Sequence, residues 1–480
     1  MKREKAISEQ RKAESIDAAV WGGPSHSSDE SSVIELEPRG WRIQAHYTGQ
    51  LKRKIKEEPV QEAKPYDIDK WKVYDAYRKV KANKGSSGID RIGMETYEIN
   101  LKDNLYKLWN RMSSGSYFPK PVKLVEIPKS NGGKRPLGIP TIEDRIAQMT
   151  AVLILQPTLE PHFHTDSFGY RPGRSAHDAI AKAQERCWLY PWVLDMDISK
   201  FFDTIDHELL MRAVKKHIKE KWMLLYITRW IKVPYIKTDG EQIERDKGVP
   251  QGSVIGPILA NLFLHYTFDT WMTNKHPTIP FERYADDTIC HCKTMKEAEE
   301  LQRSVGARLR ECKLELNEEK TKIVYCKTSR RRQHYPITMF DFLGFTFRPR
   351  RALDKKSGEC FTSFLPAISN KSAQKIRVEI RAWKLQHLRQ LRLPVIASMK
   401  NPAIAGWVNY YGKFGRTEFW EVMNYLNATL SRWARKKFKG LGTGRNRSIY
   451  WLANVANVDR KLFYHWQQGF IPYLKSCQRV

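Results

Sequence analysis

The stretch Tyr284-Ala285-Asp286-Asp287, set between Phe281 and the β-prone run Thr288-Ile289-Cys290-His291-Cys292, constrains the fold of this chain more than any other segment. Two strand-like runs flank a tight turn, and the turn carries adjacent carboxylates. Like charges held together repel and lose hydration, so a fold that keeps them commonly compensates with a divalent cation bound through oxygen. Such ligands suit Mg²⁺, which clamps phosphates. Asp-Asp is also ordinary turn chemistry, and the tetrapeptide alone leaves both readings open.

A second acidic segment changes the balance. Trp192-Val193-Leu194-Asp195-Met196-Asp197-Ile198-Ser199-Lys200-Phe201-Phe202-Asp203 is an apolar run with acids at alternate positions. Period two predicts a strand with Asp195 and Asp197 on one face. In-line phosphoryl transfer uses two cations about 4 Å apart, which carboxylates from different strands can hold. Asp197 and Asp286 would supply such a pair. Between the two segments lies Gly248-Val249-Pro250-Gln251-Gly252-Ser253-Val254-Ile255-Gly256-Pro257, a loop where backbone can approach a ligand closely, followed by a helical run through Leu259, Leu262 and Phe263.

The order Asp197-x-x-x-Phe201-Phe202, Pro250-Gln251-Gly252, Tyr284-Ala285-Asp286-Asp287, Phe342-Leu343-Gly344-Phe345 resembles the palm of a reverse transcriptase. Within that class the chain is similar to the reverse transcriptase and maturase proteins encoded by bacterial group II introns, over roughly Tyr66 to Tyr473. Ile127 to Pro140 and Phe168-Gly169-Tyr170-Arg171-Pro172-Gly173-Arg174-Ser175 look like that family's fingers, and Gly406-Trp407-Val408-Asn409-Tyr410-Tyr411 like its maturase segment. Relatives with a DNA endonuclease continue into a His-Asn-His-type domain with paired Cys-x-x-Cys ligands. Neither is present here, so the resemblance is to the endonuclease-lacking type, with cDNA synthesis primed from an existing strand.

The resemblance implies an α+β fold: a right-hand polymerase, with fingers and palm built on antiparallel sheet, followed by an α-helical thumb and maturase domain. It implies RNA-directed DNA synthesis with Mg²⁺ and dNTPs on an RNA template and DNA primer. Binding of the parent intron RNA would assist splicing and retrohoming into target DNA. Asp197, Asp286 and Asp287 would be catalytic, Asp287 in the weaker supporting role; Asp197, Asp286 and the carbonyl of Ile198 would ligate metal. Asp195, two residues early, is left as a strand acid. Phe202 would lie under the sugar and exclude a 2′-OH, with a core phenylalanine as the alternative. Gln251 would line the nucleotide pocket. Lys129 and Arg135, across the turn Ser130-Asn131-Gly132-Gly133, would hold the triphosphate or else remain solvated hairpin charges. Lys320 and Lys322 would contact primer or balance Glu318 and Glu319. Two other functions remain open: a free-standing or domesticated relative serving defence or repair, and an RNA-binding splicing factor with little polymerase activity, which the intact acidic triad disfavours.

Composition agrees. The 83 Lys and Arg against 53 Asp and Glu give a net charge of +30, so a polyanion is the first partner to expect. Charge alone does not separate an enzyme from a nucleic-acid coat. From Lys371 to Val480 there are 21 Lys or Arg against 4 Asp or Glu. There Asn370 is a candidate cap for a helix with apolar positions Ile376, Ile380, Trp383, Leu388 and Leu391. Lys375, Arg377, Arg381, Lys384 and Arg389 occupy its other face, and Arg432, Arg435, Lys436, Lys437 and Lys439, then Arg445 and Arg447 in a Gly-rich loop, form a second cluster. Lys375, Arg381, Lys384, Arg432, Arg435, Lys436, Lys437, Arg445 and Arg447 are expected to grip RNA phosphates. Arg171 and Arg174 would touch template, though Arg171 could instead pair with an acid such as Asp166. Trp407, Tyr410 and Tyr411 read as core.

Seven scattered cysteines give no disulfide framework, and Cys290-His291-Cys292 reads as structural strand. No 18-residue apolar stretch exists, and the polar start Met1-Lys2-Arg3-Glu4-Lys5 lacks a signal-peptide core, so no membrane contact is expected; the unframed cysteines fit a reducing cytoplasm, and the resemblance implies a bacterial one. The expected organisation is a flexible polar extension over 1–65, fingers and palm over 66–350, and thumb with maturase domain over 351–480. A short helix at Ser15 to Trp21 docking on RNA is the alternative for the extension.

Overall fold

The computed structural model describes residues 64–128, 133–354, 356–442 and 444–472. The polar extension, the alternative helix at Ser15 to Trp21 and Lys129 lie outside the described residues. Two compact units emerge, one running to Thr158 and adding Val214–Gly256, the other comprising Leu159–Ala213 and Pro257 onward. They interleave along the chain, and a boundary at 350 falls inside the strand Phe345–Leu353.

In the first unit, Asp69 caps the helix Lys70–Ala82 by accepting from the Trp71 N–H, and Val73, Tyr74, Ala76, Tyr77 and Val80 form its buried face. The helix Leu101–Ser114 ends at Gly115, whose φ of +79° supplies the left-handed C-terminal position. Strands β1 (Val122–Pro128) and β2 (Lys134–Ile139) form an antiparallel hairpin, and the short strands β4 (Tyr235–Ile236) and β5 (Gln242–Ile243) extend the sheet in the order β2-β1-β4-β5. Asp144, on the helix Ile142–Leu159, is fully buried and accepts hydrogen bonds from the Tyr117 hydroxyl, the Trp230 indole and the Gln148 amide. Gln148 in turn accepts from the N–H groups of Val254 and Ile255, tying the Gly248–Ile255 loop to this core.

The second unit holds a four-stranded antiparallel sheet in the order β6-β7-β3-β8, formed by β3 (Trp192–Met196), β6 (Phe281–Tyr284), β7 (Asp287–Cys292) and β8 (Lys322–Tyr325). The helices Ala176–Leu189 and Met295–Glu311 pack on it through apolar stripes that include Ile180, Ala183, Leu301 and Val305. A second sheet orders β11 (Cys360–Ile368), β10 (Phe345–Leu353) and β9 (Phe340–Phe342). The β9–β10 turn needs positive φ at Leu343 and Gly344, and the Tyr410 hydroxyl donates to the Leu343 carbonyl.

Beyond β11 the unit is helical: Asn370–Ala382, Leu393–Tyr411, Arg416–Lys437, Arg445–Val458 and Tyr464–Gln467 enclose a core that includes Ile380, Leu426, Leu430, Trp433 and Trp466. Ser369, rather than Asn370, caps the first of these, because its hydroxyl accepts from the Ser372 N–H. That helix stops at Ala382, where the chain turns through Lys384 at φ +48°, so Leu388 and Leu391 reach the core from irregular backbone. Arg445 and Arg447 open a helix instead of sitting in a loop.

Gly415 precedes the helix Arg416–Lys437 with φ +59°, and a Cβ there would lie 2.1 Å from the Ala367 Cβ and 2.6 Å from its Cα. Gly415→Ala is therefore expected to destabilise the protein by about 3 kcal/mol through strained φ and overpacking, read as a lowered denaturation midpoint. A midpoint equal to wild type would contradict this packing.

Candidate functional site

The carboxylate turn is built on a buried ionic anchor. Strands β6 and β7 are joined by Ala285 and Asp286, with Tyr284 paired to Asp287, and Ala285 adopts φ +57°. Arg283, the residue before Tyr284, has no exposed surface, and its guanidinium forms a two-point pair with Asp269, also fully buried, at 2.7 and 2.6 Å. Its remaining Nη1 donates to the Ala285 carbonyl at 2.9 Å and to Asn261 Oδ1 at 3.0 Å. Asn261 donates to the Gly169 carbonyl, and a Cβ on Gly169 would lie 2.4 Å from the Ala285 nitrogen. Backbone thus packs directly on the turn from behind. None of Arg283, Asp269, Asn261 or Gly169 stood out as a site residue in the sequence, although charges inside the apolar runs Thr267-Phe268-Asp269 and Phe281-Glu282-Arg283 were a usable signal.

Beneath the turn, Glu282 and His291 are buried and paired at 2.6 Å, and Arg186 bridges Glu282 to Asp166. His291 is therefore a structural group in the strand, as its sequence context predicts. Among the described residues no group of three His, Cys, Asp or Glu side chains is arranged to hold a metal ion by itself.

Asp197 follows β3 directly. Its carbonyl accepts from the Asn317 N–H, and the Ser199 N–H donates to the Glu315 carbonyl, so Ile198 sits in a bridge opposite Leu316. In antiparallel pairing this turns the N–H and C=O of Ile198 to the other edge, the side on which β7 runs. Asp195 lies across from Ile289 on β7 and Lys322 on β8. Desolvation, then the charge of Asp287 and, more weakly, of Asp341 and Asp197, push the Asp195 carboxyl up to about 7 against the pull of Lys322. Asp287 reaches solvent at the turn, yet the protein around it and the charges of Asp286 and Asp197 push it up to about 6. Asp195 thus belongs electrostatically to the cluster, beyond the strand role its position suggested. The Lys320 ammonium sits 2.8 Å from Asp197 Oδ2, so this lysine balances the acidic site rather than Glu318 and Glu319. An all-oxygen donor set beside the raised carboxyls of Asp195 and Asp287 suits a hard divalent cation that completes its shell with water and phosphate oxygens.

The paired phenylalanines divide. Phe201 is buried against Phe263, whereas Phe202 is only half-buried. In the first unit, Arg135 Nε donates to Gln251 Oε1 at 2.6 Å, and the Gly138 N–H donates to the Gln251 carbonyl. Gly252 has φ +109°, and a Cβ there would lie 2.3 Å from the Gly138 carbonyl oxygen, so this loop closes on β2 only with glycine.

The expected cationic surface needs one correction and two refinements. Arg171 is buried, with its Nε and Nη2 on Glu160 and Nη1 on the His164 and Ser167 carbonyls; it is a structural clamp, not an RNA contact, and its acid is Glu160 rather than Asp166. Arg174 is exposed and makes one bond to the Thr165 carbonyl. The Lys437 ammonium caps the Arg389 and Leu391 carbonyls, so part of its donor capacity is internal. Lys375, Arg381, Lys384, Arg432, Lys436 and Arg447 are exposed and Arg435 half-buried; the side chain of Arg445 lies outside the described residues.

Residues 127–347 match the model of the reverse transcriptase (RNA-dependent DNA polymerase) family, and residues 373–451 that of the group II intron maturase-specific domain. Protein YkfC of Escherichia coli is 31% identical over 65% of this chain and 88% of its own length. The group II intron-encoded protein LtrA of Lactococcus lactis is 28% identical over 71% of this chain and 68% of its own. A putative COX1/OXI3 intron 2 protein of Saccharomyces cerevisiae is 32% identical over 42% of this chain and 23% of its own. With Asp197 and the Asp286-Asp287 turn at the ends of neighbouring strands and both domain models matched in order, the chain belongs to the group II intron reverse transcriptase and maturase family.

Proposed function

We propose that this protein copies RNA into DNA at the acidic cluster of β3 and β7, using Mg²⁺ and dNTPs, and binds its parent intron RNA through the helical region to assist splicing and insertion into target DNA. The observation that carries the reading is the crowding of Asp195, Asp197, Asp286 and Asp287 at one sheet end, where desolvation and then their neighbours' charges push Asp195 and Asp287 up. In this reading the primer 3′-hydroxyl oxygen attacks the α-phosphorus of the dNTP and gives up its proton to water; the new P–O bond forms as the bond from that phosphorus to the α,β-bridging oxygen breaks, and pyrophosphate leaves. Bound Mg²⁺ would supply charge neutralisation and Lewis acidity. Asp197, Asp286 and the Ile198 carbonyl would hold it, and Asp287 would support from the turn. Lys320 neutralises Asp197 between turnovers. Arg135 and Gln251 take the triphosphate, with Lys129 as a further cation, and Phe202 bars a ribose 2′-OH. Arg174, Lys375, Arg381, Lys384, Arg432, Arg435, Lys436, Lys437, Arg445 and Arg447 hold RNA. No helix among the described residues is long and apolar enough to cross a membrane, and the reading places the protein in a bacterial cytoplasm.

Primer extension on an RNA template with Mg²⁺ and dNTPs tests this. Asp286→Asn should lower extension by about three orders of magnitude while intron RNA binding survives. Extension by the variant at the wild-type rate would refute the site. Well-folded wild type that binds RNA tightly but extends nothing would favour the splicing-factor reading.

The cluster also predicts a pH signature. The Asp195 carboxyl is raised in the folded state, so its favourable contribution is present below its unfolded value near 4 and is lost as pH rises through about 7. In chelator, Asp195→Asn should therefore melt a few degrees above wild type at about pH 8 and show no advantage at about pH 4. An advantage that is the same at both pH values would remove Asp195 from the cluster.

A further inference from the structure

The helical region contains a basic cavity of about 630 Å³ that the polymerase chemistry does not use. One wall is a single face of the helix Arg416–Lys437, where Tyr425, Thr429, Arg432 and Lys436 follow at spacings of four, three and four. Arg381 and Gln386 approach from the end of the preceding cationic segment, and the fully buried Ile380 forms an apolar floor. Arg435 adds a fourth cation, and among the described residues no Asp or Glu lines the cavity. Among the described residues no ion pair engages Arg381, Arg432 or Lys436. Arg432 donates to the Thr429 hydroxyl at 2.9 Å, which holds its guanidinium 5.9 Å from the centre of the Tyr425 ring.

A concavity of this size and charge asks for a compact anion that also has an apolar face. Phosphates of a continuous duplex follow a convex surface and offer no apolar face to its floor. An unpaired nucleotide can offer one, because its volume suits a small-molecule site and its base can leave the stack. RNA is read at such splayed bases, which stack on aromatic rings or on arginine planes and expose their edges to hydrogen bonding. Tyr425 and Arg432 offer both stacking surfaces, Gln386 offers an amide that can donate and accept, and the remaining cations match the attached phosphates. We infer that this cavity receives one extruded nucleotide of the bound RNA, so that the protein recognises a bulge or splayed loop base as well as duplex backbone. The inference rests on the RNA-binding reading of this cationic face.

Fluorescence anisotropy of the full chain with short hairpin RNAs tests it. The set comprises one fully paired stem and the same stem carrying a single bulged A, C, G or U. The best bulged hairpin should bind about tenfold more tightly than the paired one, the value of one stacked base. Tyr425→Leu should abolish that preference while leaving affinity for the paired stem, and Tyr425→Phe should keep it. Gln386→Ala, at an exposed position, should reduce the preference without disturbing the core. Arg432→Ala with Lys436→Ala should weaken both RNAs. Equal binding of bulged and paired stems by wild type, or a preference unchanged in Tyr425→Leu and Gln386→Ala, overturns the nucleotide cavity and leaves the cationic face intact. Binding to neither RNA, or unchanged affinity in the double arginine and lysine variant, overturns the RNA-binding reading itself.

Discussion

The buried fork between Arg283 and Asp269 is the interaction on which the site depends. Two charges without exposed surface are costly to bury, and their mutual attraction repays that cost only when the remaining donors are also satisfied. Here Nη1 donates to the Ala285 carbonyl and to Asn261, which reaches on to Gly169. A hydrophobic pair of similar volume could fill the same space. It could not hold the carbonyl of a residue at positive φ, and that carbonyl fixes the turn from which Asp286 and Asp287 project. The ionic pair thus contributes position more than stability.

Position matters because the carboxylates oppose their own assembly. Asp195 and Asp287 are both pushed towards neutrality, first by desolvation and then by neighbours of the same charge, while Lys322 opposes this at Asp195 and Lys320 at Asp197 and Asp287. A sheet end free to relax would separate them. The antiparallel pairing of β3 with β7, continued past Met196 by the Ile198–Leu316 bridge, denies that relaxation. A cluster held against repulsion has a standing affinity for a divalent cation, so the strain of the metal-free state and the activity of the loaded enzyme have one origin.

Much of this was legible in the residues. The turn, the alternating acids and the Pro-Gln-Gly loop were marked by local patterns, because turn chemistry and periodicity act over a few residues. The interleaving of the two units was not, since it depends on contacts between distant segments. The same holds for Arg171: a solvent-seeking arginine in a Pro-Gly turn gives no local sign that Glu160 and two carbonyls will enclose it. The helix through Leu388 was overcalled because apolar spacing survives in irregular backbone, whereas the left-handed turn at Lys384 leaves no sequence mark. Arg283 and Asp269 were missed for the opposite reason: each looks like an ordinary charge until its partner fourteen residues away is seen.

The most direct measurement compares primer extension and thermal melting of the double variant Arg283→Met with Asp269→Leu. Replacing both charges by apolar side chains leaves no orphaned ion, so the protein should melt close to wild type. Extension should nevertheless fall by about a hundredfold or more and require more Mg²⁺, because the Ala285 carbonyl loses its donor and the carboxylates lose their register. A variant that melts like wild type and extends at the wild-type rate and Mg²⁺ dependence would show that the turn holds itself, and the anchoring account would be wrong.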